Sequence, residues 1–417
     1  SSCPTCFTPA STPPRATTSA GCSAVPTDSE RRLTTVPWHA LEGLGPLLEP
    51  ALTEVLSGGA AERALDRLLR AHRDFTAEQR TVCAEALFGV GLWRRRLRCH
   101  LDGTPLQLLA VLAGELGGFG GAARALGVEL PALRPTPTGW RDRYSFPDWI
   151  GQEIDARFGE DAASLADALN RPGPVCLRAR GSREELRALL SSRGVESVPG
   201  RLAAHSLIIT TPRPNLYGLG PDLLGRFEVQ DEGSQLLGEL VDAHPGDEVL
   251  DLCAGAGGKS LQLASIVGPE GRVHATDVDL PRLERLRTRA SKANARVLIH
   301  GKEAPASLIV PRVLIDAPCS ELGALRRGPD LRWRLDPALV RSMPPIQLGL
   351  IETGLRHLAP GGRLVYATCT FTRAENEDVV TTTLRAHPAL RLARDFLFVS
   401  PLREGTDGFF GAVFERK

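Results

Sequence analysis

The sequence predicts a three-part α/β protein: a helical first region, a small α+β unit, and a doubly wound parallel sheet. Three observations carry this expectation. Apolar residues recur at helical spacing from Leu33 to about Gly139. After Glu228 the pattern changes to short apolar runs alternating with helical stretches. Between the two lies a Pro- and aromatic-bearing connector, TPTGWRDRYSFPDWI, followed by short strand-like runs.

The elements follow in order. Residues 1–32 are rich in Ser, Thr, Pro and Ala, with almost no large apolar side chains. Such a segment cannot bury enough surface to offset its ordering entropy, so disorder is expected; a transit peptide is the alternative. Residues 33–139 form the helical domain. AERALDRLLRAHR places Ala64, Leu65, Leu68 and Leu69 on one face. A second helix follows Thr76 as N-cap, and a third opens with Thr104 as cap and Pro105 in its first position. Residues 140–227 form the α+β unit, with strands in PVCLRAR, VESVPG and HSLIITT. Its helix SREELRALLSSRG carries Ser182 and Glu185 as a capping box. A sheet of this kind often presents one face to RNA. Residues 228–417 form the doubly wound domain, with strands in DEVLDLCAG, RVHATDVD, RVLIHG, RVLIDAP and GRLVYATCT.

Composition narrows the setting. With 417 residues and a formal net charge of +1, no global field announces a polyanion, so any nucleic acid is met by local patches. Arginine supplies nearly all the positive charge; Lys259, Lys292, Lys302 and Lys417 are the only lysines. Nine cysteines without regular spacing, no membrane-length apolar run and no secretory signal suggest a reducing, cytoplasmic setting with free thiols. Cys3 and Cys6 form a C-x-x-C with no second pair, too little for a zinc site. Neither a metal nor a membrane partner is expected, and a monomer is.

The turn DLCAGAGGKS decides the ligand. A phosphate loop needs G-x-x-x-x-G-K-[ST], and Cys253 stands where its first glycine belongs. A dinucleotide fingerprint needs a third glycine where Ser260 stands. S-adenosylmethionine has no pyrophosphate to cradle. It needs close backbone approach and an acid at the next strand end for the ribose, and Asp277 stands there. The plainer role for Asp277 is to cap the following helix, but Asp279, just before Pro281, serves that purpose as well.

Two further strand ends carry cysteines. VLIDAPCS brings Asp316 and Cys319 to the crevice, and LVYATCT brings Cys369. A lone free cysteine is usually a small buried hydrophobe; two at one crevice suggest chemistry. C5 of cytosine is too weak a nucleophile to take a methyl group unaided. A thiolate adding to C6 makes it one. A protonated Asp316 would favour that addition by hydrogen-bonding N3, and a second thiol would help release the product.

These segments, with DAPCSELGALRRGPDLRW, YATCTFTRAENE, DGFFGAVFERK, RYSFPDWI and LGRFEVQDEGSQL, resemble the Nop/Sun (RsmB-like) family of RNA 5-methylcytosine methyltransferases. The helical region resembles the antitermination factor NusB, which points to the bacterial branch acting on 16S rRNA. The resemblance implies a Rossmann-like class I methyltransferase domain behind an α+β RNA-binding domain and a NusB-like RNA-binding domain. It implies Cys369 as nucleophile and Cys319 as the thiol assisting breakdown of the adduct. It also implies Cys253, Ala254, Gly255, Ala256, Gly257, Gly258 and Lys259 as the methionine-side cofactor loop. Asp277 would be the ribose ligand, and Asp316 would lie between cofactor and base.

Two departures stand out. The family loop commonly reads A-A-P-G-G-K-T, and here it reads Ala-Gly-Ala-Gly-Gly-Lys-Ser. The usual acid after the third strand, which contacts adenine, is absent from LIHGKEAPASL, leaving Glu303 as its substitute. Arg94, Arg95, Arg96 and Arg98 form either a solvated helix face or a phosphate contact. Arg326 and Arg327, with Arg332 and Arg334, flank the crevice as an RNA-docking group; Trp333 among them is either core or a stacking surface. The remaining alternatives are a tRNA cytosine methyltransferase and a non-catalytic ribosome-assembly factor of the same fold.

Overall fold

A computed structural model describes residues 27–212, 214–223 and 225–417. The expected disordered tail falls outside this range except for its last six residues, as do Cys3 and Cys6. Those last residues are ordered. A helical turn, Asp28–Arg31, has Glu30 buried against Arg96. The expectation of disorder up to residue 32 therefore fails at its end, because a buried arginine provides the partner that makes Glu30 worth ordering.

The helical region packs around one apolar core. Its central element is the 24-residue helix Ala77–His100, which buries Val82, Leu87, Val90, Trp93 and Leu97. Thr76 caps it in a reciprocal box with Gln79, and Thr104 forms the same box with Gln107 ahead of Pro105. The helix that starts at Pro105 gives way at Leu112–Leu116 to a wider π-helical turn.

The connector leads into two helices, Asp148–Phe158 and Ala162–Asn170, that the strand pattern did not reveal. Then come β1 (Cys176–Ala179), the helix Arg183–Ser191, β2 (Ser197–Pro199), β3 (Ser206–Ile209) and β4 (Phe227–Val229). They form an antiparallel sheet in the order β2-β3-β1-β4. β4 straddles the expected boundary at 227/228 and belongs to this small sheet. Ser182 caps its helix through the Glu185 N–H, so half of the expected box is present.

The large sheet contains β5 (Glu248–Asp251), β6 (Arg272–Thr276), β7 (Val297–Gly301), β8 (Val310–Asp316), β9 (Leu358–Thr368), β10 (Leu390–Leu392), β11 (Leu397–Val399) and β12 (Phe409–Arg416). Its order is β10-β12-β9-β8-β5-β6-β7, with β11 also on β12. β5 to β9 are parallel, as expected. β12 runs antiparallel to β9, and β10 and β11 run antiparallel to β12, so the sheet is mixed rather than wholly parallel. The chain leaves β5 in one direction through β6 and β7, then returns to β8 on its other side. The switch point lies between β5 and β8, where such sheets open a ligand crevice.

The arginines join these parts. Arg95 is ion-paired with Asp142 and Asp148 and donates to the Phe146 carbonyl. Arg96 is buried on Glu30. This part of the arginine run is neither a solvated face nor free for phosphate, because its partners are acids far away in sequence. Removing one member of the buried Glu30–Arg96 pair strands the other charge. Glu30→Ala should destabilise the helical region by about 3–5 kcal/mol, and Glu30→Ala/Arg96→Met by clearly less. Urea titrations followed by circular dichroism test this.

Candidate active site

The glycine turn is built for close approach. Gly255 and Gly257 have φ of +54° and +91°, in the left-handed region that side chains disfavour. A Cβ at Gly257 would strike Leu286 at 2.2 Å. At Gly258 a Cβ would meet nothing within 4 Å, and at Gly255 only an Asp277 oxygen at 4.0 Å, so this face of the turn borders open space. Asp277, just past β6, accepts the Gly255 N–H on Oδ2 at 2.7 Å and the Asp279 N–H on Oδ1 at 2.8 Å. Each oxygen keeps acceptor capacity for a diol. Asp279, not Asp277, caps the helix Leu280–Lys292 by accepting from the Arg282 N–H. Arg289 of that helix bonds the Ala256 carbonyl and Glu228, tying the turn to β4. Nothing in the sequence marked Arg289, which sits in an ordinary amphipathic helix. Glu303 is exposed, two residues beyond the end of β7.

Lys259 does not point at a phosphate position. It is buried, and its Nζ donates to Asp316 Oδ2 at 2.7 Å across the switch point. Burial alone would lower the Lys259 pKa; the Asp316 carboxylate outweighs burial and raises it. The Lys259 ammonium therefore stands as a hydrogen-bond donor beside Asp316. Below them Asp251 is buried at the end of β5 and accepts from Ser260 Oγ at 2.7 Å. Burial pushes its carboxyl up to about 7, moderated by the Ser260 hydroxyl.

Cys319 and Cys369 meet. Their sulfurs are 3.4 Å apart, both half-buried free thiols. The hydrogen bond to Cys319 and then burial hold the Cys369 thiol well above its ordinary pKa. Asp316 and Lys259 lie within its electrostatic reach.

The loops bearing the thiols are clamped by residues that no sequence motif singled out. Glu375 is fully buried and accepts from Ser320 N, Ser320 Oγ, Thr372 Oγ1 and Gln347 Nε2. Asn376 accepts from Thr368 Oγ1 and donates to the Thr370 carbonyl, on either side of Cys369. The Gly323 N–H donates to the Cys369 carbonyl at 3.0 Å, while the Gly323 carbonyl receives the Gly408 N–H. A Cβ on Gly323 would lie 2.2 Å from the Gly408 oxygen. Glu375, Asn376 and Gly323 fall inside YATCTFTRAENE and DAPCSELGAL, but their spacing carries no familiar pattern.

Arg326 and Arg327 are both ion-paired within the chain. Arg326 is buried and paired with Asp407 and Asp231. Arg327 bridges the same two acids and the Pro174 carbonyl. Arg332 is fully buried, stacked at 4.0 Å over Phe146 and bonded to Asn170. Trp333 is half-buried with its indole N–H on the Gly91 carbonyl at 2.7 Å. Arg326 and Arg332 are buried in internal pairs, against the expected docking role, while Arg327 bridges the two acids and stays exposed.

Comparison with known proteins places this geometry. Residues 239–415 match the family described as 16S rRNA methyltransferase RsmB/F, and residues 146–215 match its ferredoxin-like domain. Ribosomal RNA small subunit methyltransferase B of Thermus thermophilus is 31% identical over 414 residues, covering 88% of this chain and 96% of that protein. The chain belongs to the RsmB/F methyltransferase family. The protein of the same name from Vibrio cholerae is 31% identical over 289 residues, 66% of each chain. The crystal structure of PH0851 covers 92% of this chain and 99% of its own with a TM-score of 0.72; at 22% identity it speaks to the fold.

The family makes this chain an RNA methyltransferase with S-adenosylmethionine as cofactor. The turn fits that cofactor: an open glycine face, a backbone-held acid with free acceptor capacity, and no cradle for a pyrophosphate. No helix among the described residues is long and apolar enough to cross a membrane.

The buried acids can be tested directly. Glu375 receives four donors, and glutamine offers one oxygen and a competing NH2. Glu375→Gln should cost about 1–3 kcal/mol and speed alkylation of both thiols, measured by thermal melting and timed mass spectrometry. Asp251 keeps a proton in the fold that the unfolded chain has already lost. Its contribution to stability therefore falls as pH rises from about 4 to about 7 and stays low above that. Asp251→Asn should flatten that part of the stability–pH curve, read by urea titration at pH 5 and pH 8.

Proposed function

We propose that the protein methylates C5 of a cytosine in RNA, specifically 16S rRNA, through a covalent Cys369–C6 adduct. The observation that carries this is the 3.4 Å meeting of two free thiols at the crevice beside the Lys259–Asp316 pair. A methyltransferase acting on a ring or exocyclic nitrogen needs no thiol; adding to C6 and then leaving requires a nucleophile and a partner for its release. The 16S assignment is supported by the description of the matched family, by the small-subunit rRNA in the names of the Thermus thermophilus and Vibrio cholerae relatives, and by the NusB-like reading of residues 33–139.

Gly255 to Lys259, with Cys253 and Ala254, line the methionine side of the cofactor; Asp277 takes the ribose, and Glu303 is the candidate for adenine. Bound there, S-adenosylmethionine supplies an electrophilic methyl group. The chain does the rest. Cys369 gives up its proton as the base arrives, and the Asp316 carboxylate within its electrostatic reach accepts it. Its thiolate then forms the S–C6 bond, and the ring electrons gather at C5. Lys259, protonated by its pairing with Asp316, neutralises charge on the pyrimidine's N3 edge while Asp316 fixes its position. After C5 carries the methyl group, its proton leaves to a base and the C6–S bond breaks, returning electrons to sulfur. Cys319, in contact with Cys369, assists that departure. The target base has to leave its stack to reach the thiols.

The test is methyl transfer from labelled S-adenosylmethionine to unmodified 16S rRNA and to unmodified tRNA, with the product mapped at base resolution. Label at C5 of one 16S cytosine is expected. Label in tRNA alone, or in neither, overturns the proposal. Cys369→Ala should abolish transfer, whereas Cys319→Ala should accumulate a protein–RNA adduct that survives a denaturing gel. Transfer by Cys369→Ala would refute the nucleophile assignment.

A further inference from the structure

Two arginines of the run at 94–98 remain without an acid. Arg94 and Arg98 stand one turn apart on the helix Ala77–His100, and neither has a carboxylate partner among the described residues. Both line a cleft of about 460 Å3 together with Arg95, Arg134, Trp333 and a single acid, Asp142. Counting the Asp148 and Asp102 partners of Arg95 and Arg134, four arginines meet three acids, and the excess positive charge lies on Arg94 and Arg98. Arg95 is committed to Asp142 and Asp148, and Arg134 to Asp102 and the Arg98 carbonyl. Arg94 is half-buried; burial and the neighbouring Arg98 charge both lower its pKa. Like charges at this spacing repel, so an anion between them would be stabilised.

The cleft has a second component. The Arg94 guanidinium lies 5.6 Å from the centre of the Trp333 ring, and the indole N–H is already used on the Gly91 carbonyl. The ring is therefore held by its edge while it lines the opening. Guanidinium forks beside an anchored aromatic face suit a nucleotide: phosphate on the arginines, base on the ring. The lining comes from the helical region, the connector and the segment after Cys319, so the cleft exists only when these parts are docked.

We propose that this cleft binds a single-stranded stretch of the substrate RNA away from the reacting base, with a phosphodiester between Arg94 and Arg98 and a nucleobase against Trp333. The proposal rests on RNA being the substrate, and its test separates the two. Arg94→Gln/Arg98→Gln is compared with wild type and with Arg63→Gln/Arg385→Gln, which removes the same charge from exposed sites elsewhere. Affinity for the 16S rRNA substrate is measured across a salt series, alongside steady-state methylation. The cleft variant should bind about tenfold more weakly, and its log–log salt slope should fall by about 0.7 for each phosphate that the arginines no longer neutralise. KM should rise with kcat unchanged, and S-adenosylmethionine affinity and melting temperature should match wild type. Equal weakening in the control variant, or unchanged affinity and slope while wild type methylates RNA, overturns the cleft. Wild type that neither binds nor methylates RNA overturns the substrate reading instead. Trp333→Phe, which keeps a ring, should bind better than Trp333→Leu in the same assay; equal binding removes the base from the proposal.

Discussion

One buried carboxylate organises the reactive centre. Glu375 gathers donors from the loop after β8, from its own loop after β9, and from the helix Pro337–His357. It adds to the Gly323–Cys369 and Ser320–Thr370 bonds that already join the two cysteine loops. Four bonds from three segments to one side chain fix the loops to each other, and the thiols meet as a result. A buried acid is worth its desolvation only when its lone pairs are filled, and here they are. The Tyr366 hydroxyl on the Glu375 carbonyl and the paired Asn376 extend the clamp to the backbone.

Arginine performs a second, wider task. The same residue type that suits RNA phosphate also suits carboxylate, because its planar fork matches either. In this chain much of it is spent internally. Arg326 and Arg327 close on Asp231 and Asp407, Arg289 holds the glycine turn, and Arg95 and Arg96 bind the connector and the N-terminal turn. Arg332 is buried deeply enough that its pKa drops to about 9, and it leans on Phe146 and Asn170. The near-neutral net charge thus conceals an interior network of arginine–carboxylate pairs.

The parts legible in the sequence are those encoded locally. Helical spacing, the Thr76 and Thr104 caps, the glycine turn and the strand-end cysteines each declare themselves within a dozen residues. The parts that were not legible depend on partners far along the chain. A run of arginines reads the same whether its acids are absent or lie fifty residues on, so Arg95 and Arg326 were misjudged for one reason. A strand such as Phe409–Arg416 is a continuous apolar run whose direction the sequence does not show, so the antiparallel edge beside β9 could not be foreseen. Glu375 was hidden because an acid in a short loop carries no sign of whether it faces water or four donors.

The segment that follows Cys319 has a consequence for how the molecule assembles. Asp330 accepts the Ala61 N–H and Trp333 donates to the Gly91 carbonyl, pairs separated by 269 and 242 residues. Contacts of such separation close very long loops, and they form only after local structure has made closure worthwhile. The helical region closes its own core between Leu33 and Leu126, and all of it precedes Asp330 and Trp333 in the chain. Domains generally fold as units in the order of synthesis. The reactive loop is thus completed against a surface that already exists, and its final shape is a late event in folding rather than a property of the sheet alone.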